Sequence, residues 1–302
     1  MKLKYLHYFL AVAEELSFTR AAARVHIERS PLSRAIRELE SDWEAHLLCR
    51  QGGCLQLTWA GEIFRGRARR ILSEVKNARA HVRAAEHGCR GQLRIGLADH
   101  LAQPQLIRLL ARCREEEPCT EIRILEMNAD EMRRALDLRR IDAGFTVSPE
   151  PADPGQGLRR EIAWRDRFAV ALPGNHPLLS LQRIPRREIA RYSLLLFHPE
   201  SCPGGYDLVH QWLFPLPASS PKIAGYVSGH EAMLMLTAAG FGIGIGLASQ
   251  IALHRTPGVT VRPVADLPAT AIFLLTSDRP PTAELSHFVT RVRQIGSGAR
   301  LY

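Results

Sequence analysis

The chain has 302 residues, 46% hydrophobic and 24% charged, which is ordinary for a water-soluble protein and enough for two or three domains with their own cores. Its formal charge of +9 is uneven: the first 90 residues hold 16 Lys+Arg against 10 Asp+Glu, and the remaining 212 hold 24 against 21. A basic module joined to a nearly neutral one suits a polyanion partner, and the basic third lacks the broad, aromatic-rich apolar face of a membrane-surface segment.

Leu3, Leu6, Leu10 and Ala13 recur at helical spacing and predict a helix over 3–15. His7, Glu14 and Glu15 interrupt and end the apolar run, which argues against a signal peptide. Residues 18–40 read as two short helices around a tight turn. Phe18, Ala21, Ala22 and Val25 give the first an apolar face, and Leu32, Ile36 and Leu39 give the second one. The outer face of the second shows Ser30, Ser33, Arg34 and Arg37. Arginines can fork onto guanine edges or phosphates and hydroxyls can reach phosphates, so this face suits a DNA major groove; an ordinary solvated basic face is the alternative. Residues 42–48 continue or follow this helix, with Trp43, Leu47 and Leu48 packing beneath. Gln51-Gly52-Gly53 forms a hairpin tip between 48–50 and 54–57, completing a winged helix-turn-helix whose wing carries Arg50 and Gln51.

Thr58 is placed to cap a long helix. Along it Phe64, Ala68, Ile71, Val75, Ala78, Val82 and Ala85 step alternately by four and three, three heptads of a/d positions. Such a seam argues for pairing with a second copy; packing on its own domain is the alternative. Gly88 and Gly91 end it.

From residue 92 the texture is β-α-β-α-β: strands at 93–98, 121–127 and 141–147 around helices at 103–117 and 129–138, which implies a parallel sheet. Further strands are expected at 158–164, 167–172, 194–197, 223–227, 242–246, 259–264 and 270–277, and helices at 204–214, 229–239 and 281–296. Residues 232–253 are uncharged, but Gly240, Gly242, Gly244 and Gly246 alternate with apolar residues at period two, the mark of a short buried strand rather than a membrane span.

Taken with this order of elements, the chain resembles the LysR-type transcriptional regulators. The sharpest match is LHYFLAVAEELSFTRAAARVHIERSPLSRAIRELE, continued by LTWAGEIF at 57–64. Ile141–Phe145, Leu172–Leu178 and Ala238–Gly244 are weaker echoes in the right order. The resemblance implies a DNA-binding domain over 1–58, a dimerising linker helix over 59–90 and an effector-binding domain over 91–302 of periplasmic-binding-protein type. That domain has two α/β subdomains, 91–162 with 266–302 and 163–265, which cross near Ala163-Trp164 and Val264-Ala265 around a small-molecule cleft. It implies double-stranded operator DNA, a second copy of the chain in a dimer or tetramer, a small-molecule effector and RNA polymerase as partners, with no cofactor, no membrane and a cytoplasmic location. Effector binding would change the angle between subdomains and so the spread of the DNA-binding heads. The chain departs from the family at Arg29, where Gln is common; at Glu28, where Ser is; at Glu44, where a helix-ending Gly is usual; and at Cys49, where an acidic residue is.

The expected DNA contacts are Arg29, Ser30, Pro31, Ser33, Arg34 and Arg37 in the groove, Thr19 and Arg20 on phosphates, and Arg50 and Gln51 in the wing. Open α/β sheets bind ligands beyond the carboxyl ends of their strands, which selects Asp99, His100, Asn128, Thr146, Phe197, His198 and Ser228. Helix starts there suit a carboxylate ligand, which Asp99 counts against. HExxH, GxSxG and Walker motifs are absent, Gly242-x-Gly-x-Gly lacks dinucleotide-binding spacing, and the six cysteines form neither CxxC pairs nor zinc spacings, so neither an enzyme nor a metal site is expected. Cys202, in a Pro/Gly-rich loop, leaves a thiol-responsive regulator open as an alternative, as is a cytoplasmic ligand-binding protein without DNA function.

Overall fold

A computed structural model describes residues 2–86, 91–148, 155, 157–213 and 222–298. Residues 1–83 form one compact unit, and nearly all of 84–302 forms a second.

The first unit runs α1 (Leu3–Glu15), α2 (Phe18–Arg24), α3 (Arg29–Asp42), β1 (Leu48–Gln51), β2 (Cys54–Leu57) and α4 (Trp59–Glu86). Leu6, Phe9 and Val12 from α1 meet Leu32, Ile36 and Leu39 from α3 in its core, all 2% exposed or less. Ser17 caps α2 by accepting from the Arg20 N–H. The hairpin turns through Gly52 and Gly53, both left-handed at φ 59° and 81°, as a two-residue type I′ turn demands. Two side chains fix the wing: one Glu40 oxygen accepts from Leu47 N and Leu48 N at 2.7 and 3.1 Å, and Thr58 Oγ1 donates to the His46 carbonyl at 2.6 Å. Thr58 Oγ1 also accepts from Gly61 N at 2.9 Å, the expected cap of α4. Gly61 is required by packing, since a Cβ there would lie 2.0 Å from the Leu47 carbonyl oxygen.

Two expectations need correction. Of the two readings of 42–48, residues 43–45 follow α3 as a turn; the correction is Trp43, which stays 44% exposed with its ring edge-on to Phe64 instead of packing beneath. The α4 stripe is also divided. Phe64 and Ala68 are buried, and Ile71 packs against the core of this same unit, with Phe64 edge-on to Phe9 at 4.9 Å. The cap at Thr58 lays the first turns of α4 over α1, so these three positions are consumed internally. Val75 is half-buried, Ala78 is exposed and Val82 is 70% exposed. Ala85 lies in α4, with its side chain outside the described residues.

The second unit contains two five-stranded sheets. In chain order its elements are β3 (Gly91–Ala98), α5 (Pro104–Glu116), β4 (Thr120–Met127), α6 (Ala129–Asp137), β5 (Ala143–Val147), β6 (Leu158–Asp166), β7 (Phe168–Pro173), α7 (Arg186–Ile189), β8 (Leu194–Phe197), α8 (Pro203–Leu213), β9 (Ile223–Val227), α9 (His230–Ala238), β10 (Ile243–Leu247), α10 (Ala248–Leu253), β11 (Val259–Pro263), β12 (Thr270–Ser277) and α11 (Ala283–Gly298). One sheet is ordered β4-β3-β5-β12-β6 and the other β11-β7-β10-β8-β9. In each, four strands run one way and one, β12 or β7, runs against them, and the parallel neighbours are the β-α-β-α-β part of each sheet, as expected. Gly244 lets α9 approach β10; a Cβ there would meet Met233 at 2.7 Å.

The chain passes between sheets at Asp166–Phe168, not at Ala163-Trp164, because β6 stays paired with β12 through Asp166. The return lies between Ala265, whose N–H donates to the Ile184 carbonyl, and Thr270.

Glu44 sits at φ 48° in the C′ position of α3, where Ala45 N–H bonds the Glu40 carbonyl and Glu44 N–H the Ser41 carbonyl. This is a Schellman cap whose left-handed residue is usually Gly. Glu44→Gly removes the steric cost of a side chain there and is expected to stabilise the first unit by about 1 kcal/mol. Urea titration of both proteins checks it; an unchanged or lower midpoint contradicts it.

Candidate functional site

Among the described residues, the first unit presents basic groups without acidic partners on α3 and the wing. Thr19, Arg29 and Arg50 line an open concavity of about 490 Å³ bounded by the start of α2, the start of α3 and the wing. Ser30, Pro31, Arg34 and Arg37 are exposed on α3, Ser33 is half-buried, and Gln51 is exposed in the wing. Arg34 and Arg37 are not paired with Glu38 or Glu40. Glu38 accepts from the Tyr5 hydroxyl at 2.6 Å, and Glu40 holds the wing. Arg37 Nε donates to the Ser33 carbonyl at 3.5 Å. Arg20 differs from expectation: it binds the Glu15 carboxylate at 3.2 Å and also the Glu15 carbonyl, closing the end of α1. Arg24 and Arg69 are likewise held by Glu14.

The second unit holds a small cavity at the carboxyl ends of strands from both sheets. Asp99 follows β3, Val147 ends β5, Phe197 ends β8 and Gly246-Leu247 end β10, while Cys202, Gly205, Leu208, His230 and Gln250 come from the starts of α8, α9 and α10. Its free space is about 20 Å³, roughly one water molecule. Of the seven residues selected from sequence, Asp99 and Phe197 line it. His100 is exposed, 3.6 Å from Glu126. Asn128 caps α6 by accepting from Glu131 N. Thr146 is buried between Phe145 and Val147, which belong to the core cluster on the cavity side, so strand alternation turns it away. His198 accepts from Glu200 N in an exposed turn. Ser228 is exposed and contributes its carbonyl to the Cys202 thiol. Cys202, His230 and Gln250 went unselected. His230 opens a helix just after a strand end, and that position was its only signal in the sequence.

Asp99 and His100 occupy left-handed backbone at φ 53° and 54°. Asp99 is 7% exposed, and its Oδ2 accepts from the Gly204 N–H at 3.0 Å. A Cβ on Gly204 would lie 2.4 Å from that oxygen. Burial pushes the Asp99 carboxyl up to about 6, opposed by the backbone N–H groups of Gly204 and Gly205 and aided by the charge of Asp207. His230 is held down to about 3, chiefly by burial and then by His254 and His100, so it is neutral. The Cys202 thiol is pushed up to about 11 by burial and by Asp99. A buried, protonated thiol is the opposite of a reactive thiolate, so Cys202 lacks the setting a redox sensor needs. Among the described residues no cluster of three or more His, Cys, Asp or Glu is placed to hold a metal ion, and no helix is long and apolar enough to cross a membrane.

Family models match both units: "Bacterial regulatory helix-turn-helix protein, lysR family" over residues 3–62 and "LysR substrate binding domain" over residues 86–296. The chain belongs to the LysR family. Among its LysR-type relatives, the transcriptional regulator YnfL of Escherichia coli K12 is 32% identical over 253 residues, covering 82% of this chain and 83% of that protein. XapR of the same organism is 30% identical over 263 residues, 87% of each. The crystal structure of full-length CbnR complexed with its target DNA is similar at a TM-score of 0.68 and 27% identity, covering 98% of this chain and 100% of that one. As a LysR-type protein, the chain is a DNA-binding transcriptional regulator with an effector-binding domain.

The raised Asp99 carboxyl fixes the sign of a pH effect on this regulator. The folded chain binds that proton more tightly than the unfolded chain, whose Asp titrates near 3.8. The ionised group therefore burdens the fold above about pH 6, and the burden vanishes as pH falls through 6 towards 4. His230 acts oppositely: its folded value lies below 6.5, so the fold loses stability as pH falls from 6.5 towards 3. Asn tolerates left-handed backbone, so Asp99→Asn isolates the first effect. It is expected to stabilise by up to about 2–3 kcal/mol at neutral pH, at about 1.4 kcal/mol per unit, and by almost nothing in acid. Urea midpoints of both proteins across the range from acid to neutral test this; a gain that does not depend on pH contradicts it.

Proposed function

We propose that this regulator reads double-stranded DNA with the outward face of α3, using Arg29, Ser30, Pro31, Ser33, Arg34 and Arg37, while Thr19 and the wing residues Arg50 and Gln51 engage the phosphate backbone. One observation carries this reading: among the described residues no acidic group pairs with Arg29, Arg34 or Arg50, whereas Arg20, Arg24 and Arg69 are neutralised within the unit. The unpaired charge on α3 and the wing can therefore displace phosphate counterions. The DNA complex of the related CbnR supports the reading.

In this proposal the second unit senses a small molecule in the cavity at Asp99, Phe197 and His230, and the protein acts in the cytoplasm. Two copies associate through the outer part of α4, where Val75, Ala78 and Val82 continue the apolar stripe beyond the turns consumed by the core. A ligand can shift the oligomer between states only by binding one of them more tightly.

Gel-shift titrations on the duplex upstream of the gene and on a scrambled duplex test the DNA reading. Wild-type affinity is expected to fall steeply with salt. Arg34→Ala is expected to lose about 1–3 kcal/mol on the upstream duplex and little on the scrambled one, as for a base contact. Equal losses on both assign Arg34 to a phosphate, and unchanged binding to both removes it from the interface.

A further inference from the structure

Every member of the cavity's polar lining can be accounted for except two atoms. Asp99 Oδ1 and His230 Nε2 are buried without a hydrogen-bond partner. The residues are 7% and 5% exposed, so neither atom can turn to bulk water. Gln250 donates to the His100 carbonyl at 3.0 Å, and the Cys202 thiol donates to the Ser228 carbonyl at 3.4 Å. The rest of the lining is apolar, with Val147, Phe168, Phe197 and Leu208, and it contains no Lys or Arg.

The seat that an anionic ligand would take is already filled. The first N–H groups of α8 form an anion site of the kind found at helix starts. Asp99 reaches into it, with Oδ2 on Gly204 N–H at 3.0 Å, and Gly204 has no side chain to block the approach. A carboxylate entering the cavity would find this site occupied, Asp99 opposing it and no cation to receive it. What remains unfilled is one carboxylate oxygen and one imidazole nitrogen. The carboxylate oxygen is completed by a ligand that brings protons, and so is His230 Nε2 in the neutral tautomer that carries its hydrogen on Nδ1.

We propose that the effector of this regulator is a small amine, whose ammonium donates hydrogen bonds to Asp99 Oδ1 and His230 Nε2 while a compact apolar body lies against Phe168 and Phe197. The proposal rests on the effector-cavity reading above and specifies its ligand. Neutral His230 can accept such a bond, and ionised Asp99 supplies the countercharge. The titratable groups near this pair are Asp207 on α8, Cys202, and His100 and His254 beside His230. Glu126 faces His100, and Glu231 faces His254. Since Asp99 titrates near 6, amine binding should strengthen from acid to neutral pH.

The test uses the full-length protein and matched sets of amine, alcohol and carboxylate on butyl, benzyl and cyclohexylmethyl bodies, measured by thermal shift and calorimetry. The amines are expected to bind at least about tenfold more tightly than their partners, and Asp99→Asn should abolish that preference. Gly246→Val, which fills the cavity, should remove binding of every member. If the alcohols or carboxylates bind best, or if Asp99→Asn leaves amine binding unchanged while Gly246→Val abolishes it, the amine proposal is overturned and the cavity reading survives. If no member binds at millimolar concentration, or if binding ignores Gly246→Val, both are overturned.

Discussion

The second unit depends on the satisfied carboxylate of Asp166. It lies where the chain passes between sheets and is 1% exposed. It accepts from Arg167 N at 2.7 Å, Gln103 Nε2 at 2.9 Å, Ser249 N at 3.3 Å and Ser249 Oγ at 2.6 Å. Gln103 in turn accepts from the Trp164 indole. One buried charge thus joins β6, the start of α5 and α10. Burial still raises its carboxyl value, so the four bonds offset desolvation without abolishing it. A buried charge with both oxygens hydrogen-bonded specifies one arrangement, because any other leaves it stranded. Asp99, also buried, is the contrasting case. One oxygen is held and the other is not, in strained left-handed backbone. The first aspartate fixes the crossing, and the second keeps an unmet demand beside it.

The first unit divides its charges by a similar logic. Glu14 and Glu15 take Arg20, Arg24 and Arg69, and Glu38 and Glu40 are turned to Tyr5 and to the wing backbone. Glu40 therefore orients the wing against the helix, and neither it nor Glu38 neutralises the arginines that share their helix. Gly61 and Thr58 complete the arrangement by seating α4 directly on the Leu47 carbonyl and the wing. Electrostatic attraction to DNA is long-ranged and needs only net charge, but register needs this fixed frame.

Most of the architecture was legible because it rests on periodicity and turn chemistry. The Leu32, Ile36, Leu39 spacing predicts α3, Gly52-Gly53 predicts the wing, and the heptad steps predict α4. Periodicity does not say what covers a stripe, and so Phe64 and Ala68, core residues of their own unit, read as part of an intermolecular seam. The cavity was less legible for a related reason. Strand ends are visible in sequence, but the side chain that faces inward is set by one residue of register. Phe197 points in where His198 does not, and Val147 lines the cavity where Thr146 does not. Polar loop residues also serve the backbone first, as Asn128 does in capping α6. His230, Cys202 and Gln250 come from helix starts that converge only after both sheets have formed.

The size of the cavity bears on how such a site can act as a switch. Space for about one water cannot admit even a butyl chain, so a ligand of the proposed kind needs the apolar wall of the cavity to draw back. The Gly204 bond to Asp99 spans 105 residues and ties the end of β3 to the start of α8. Drawing back gives up apolar contacts of Phe197 and Leu208 while the Asp99 bond is kept, and a ligand that supplies partners to Asp99 Oδ1 and His230 Nε2 offsets this loss. The two forms then differ in affinity for the ligand, which is the only property that lets a small molecule shift a conformational equilibrium. A site already large and satisfied would bind equally in both forms and transmit nothing. The incomplete hydrogen bonding of Asp99 and His230 is therefore the physical basis on which ligand occupancy can be coupled to a change in the shape of the second unit.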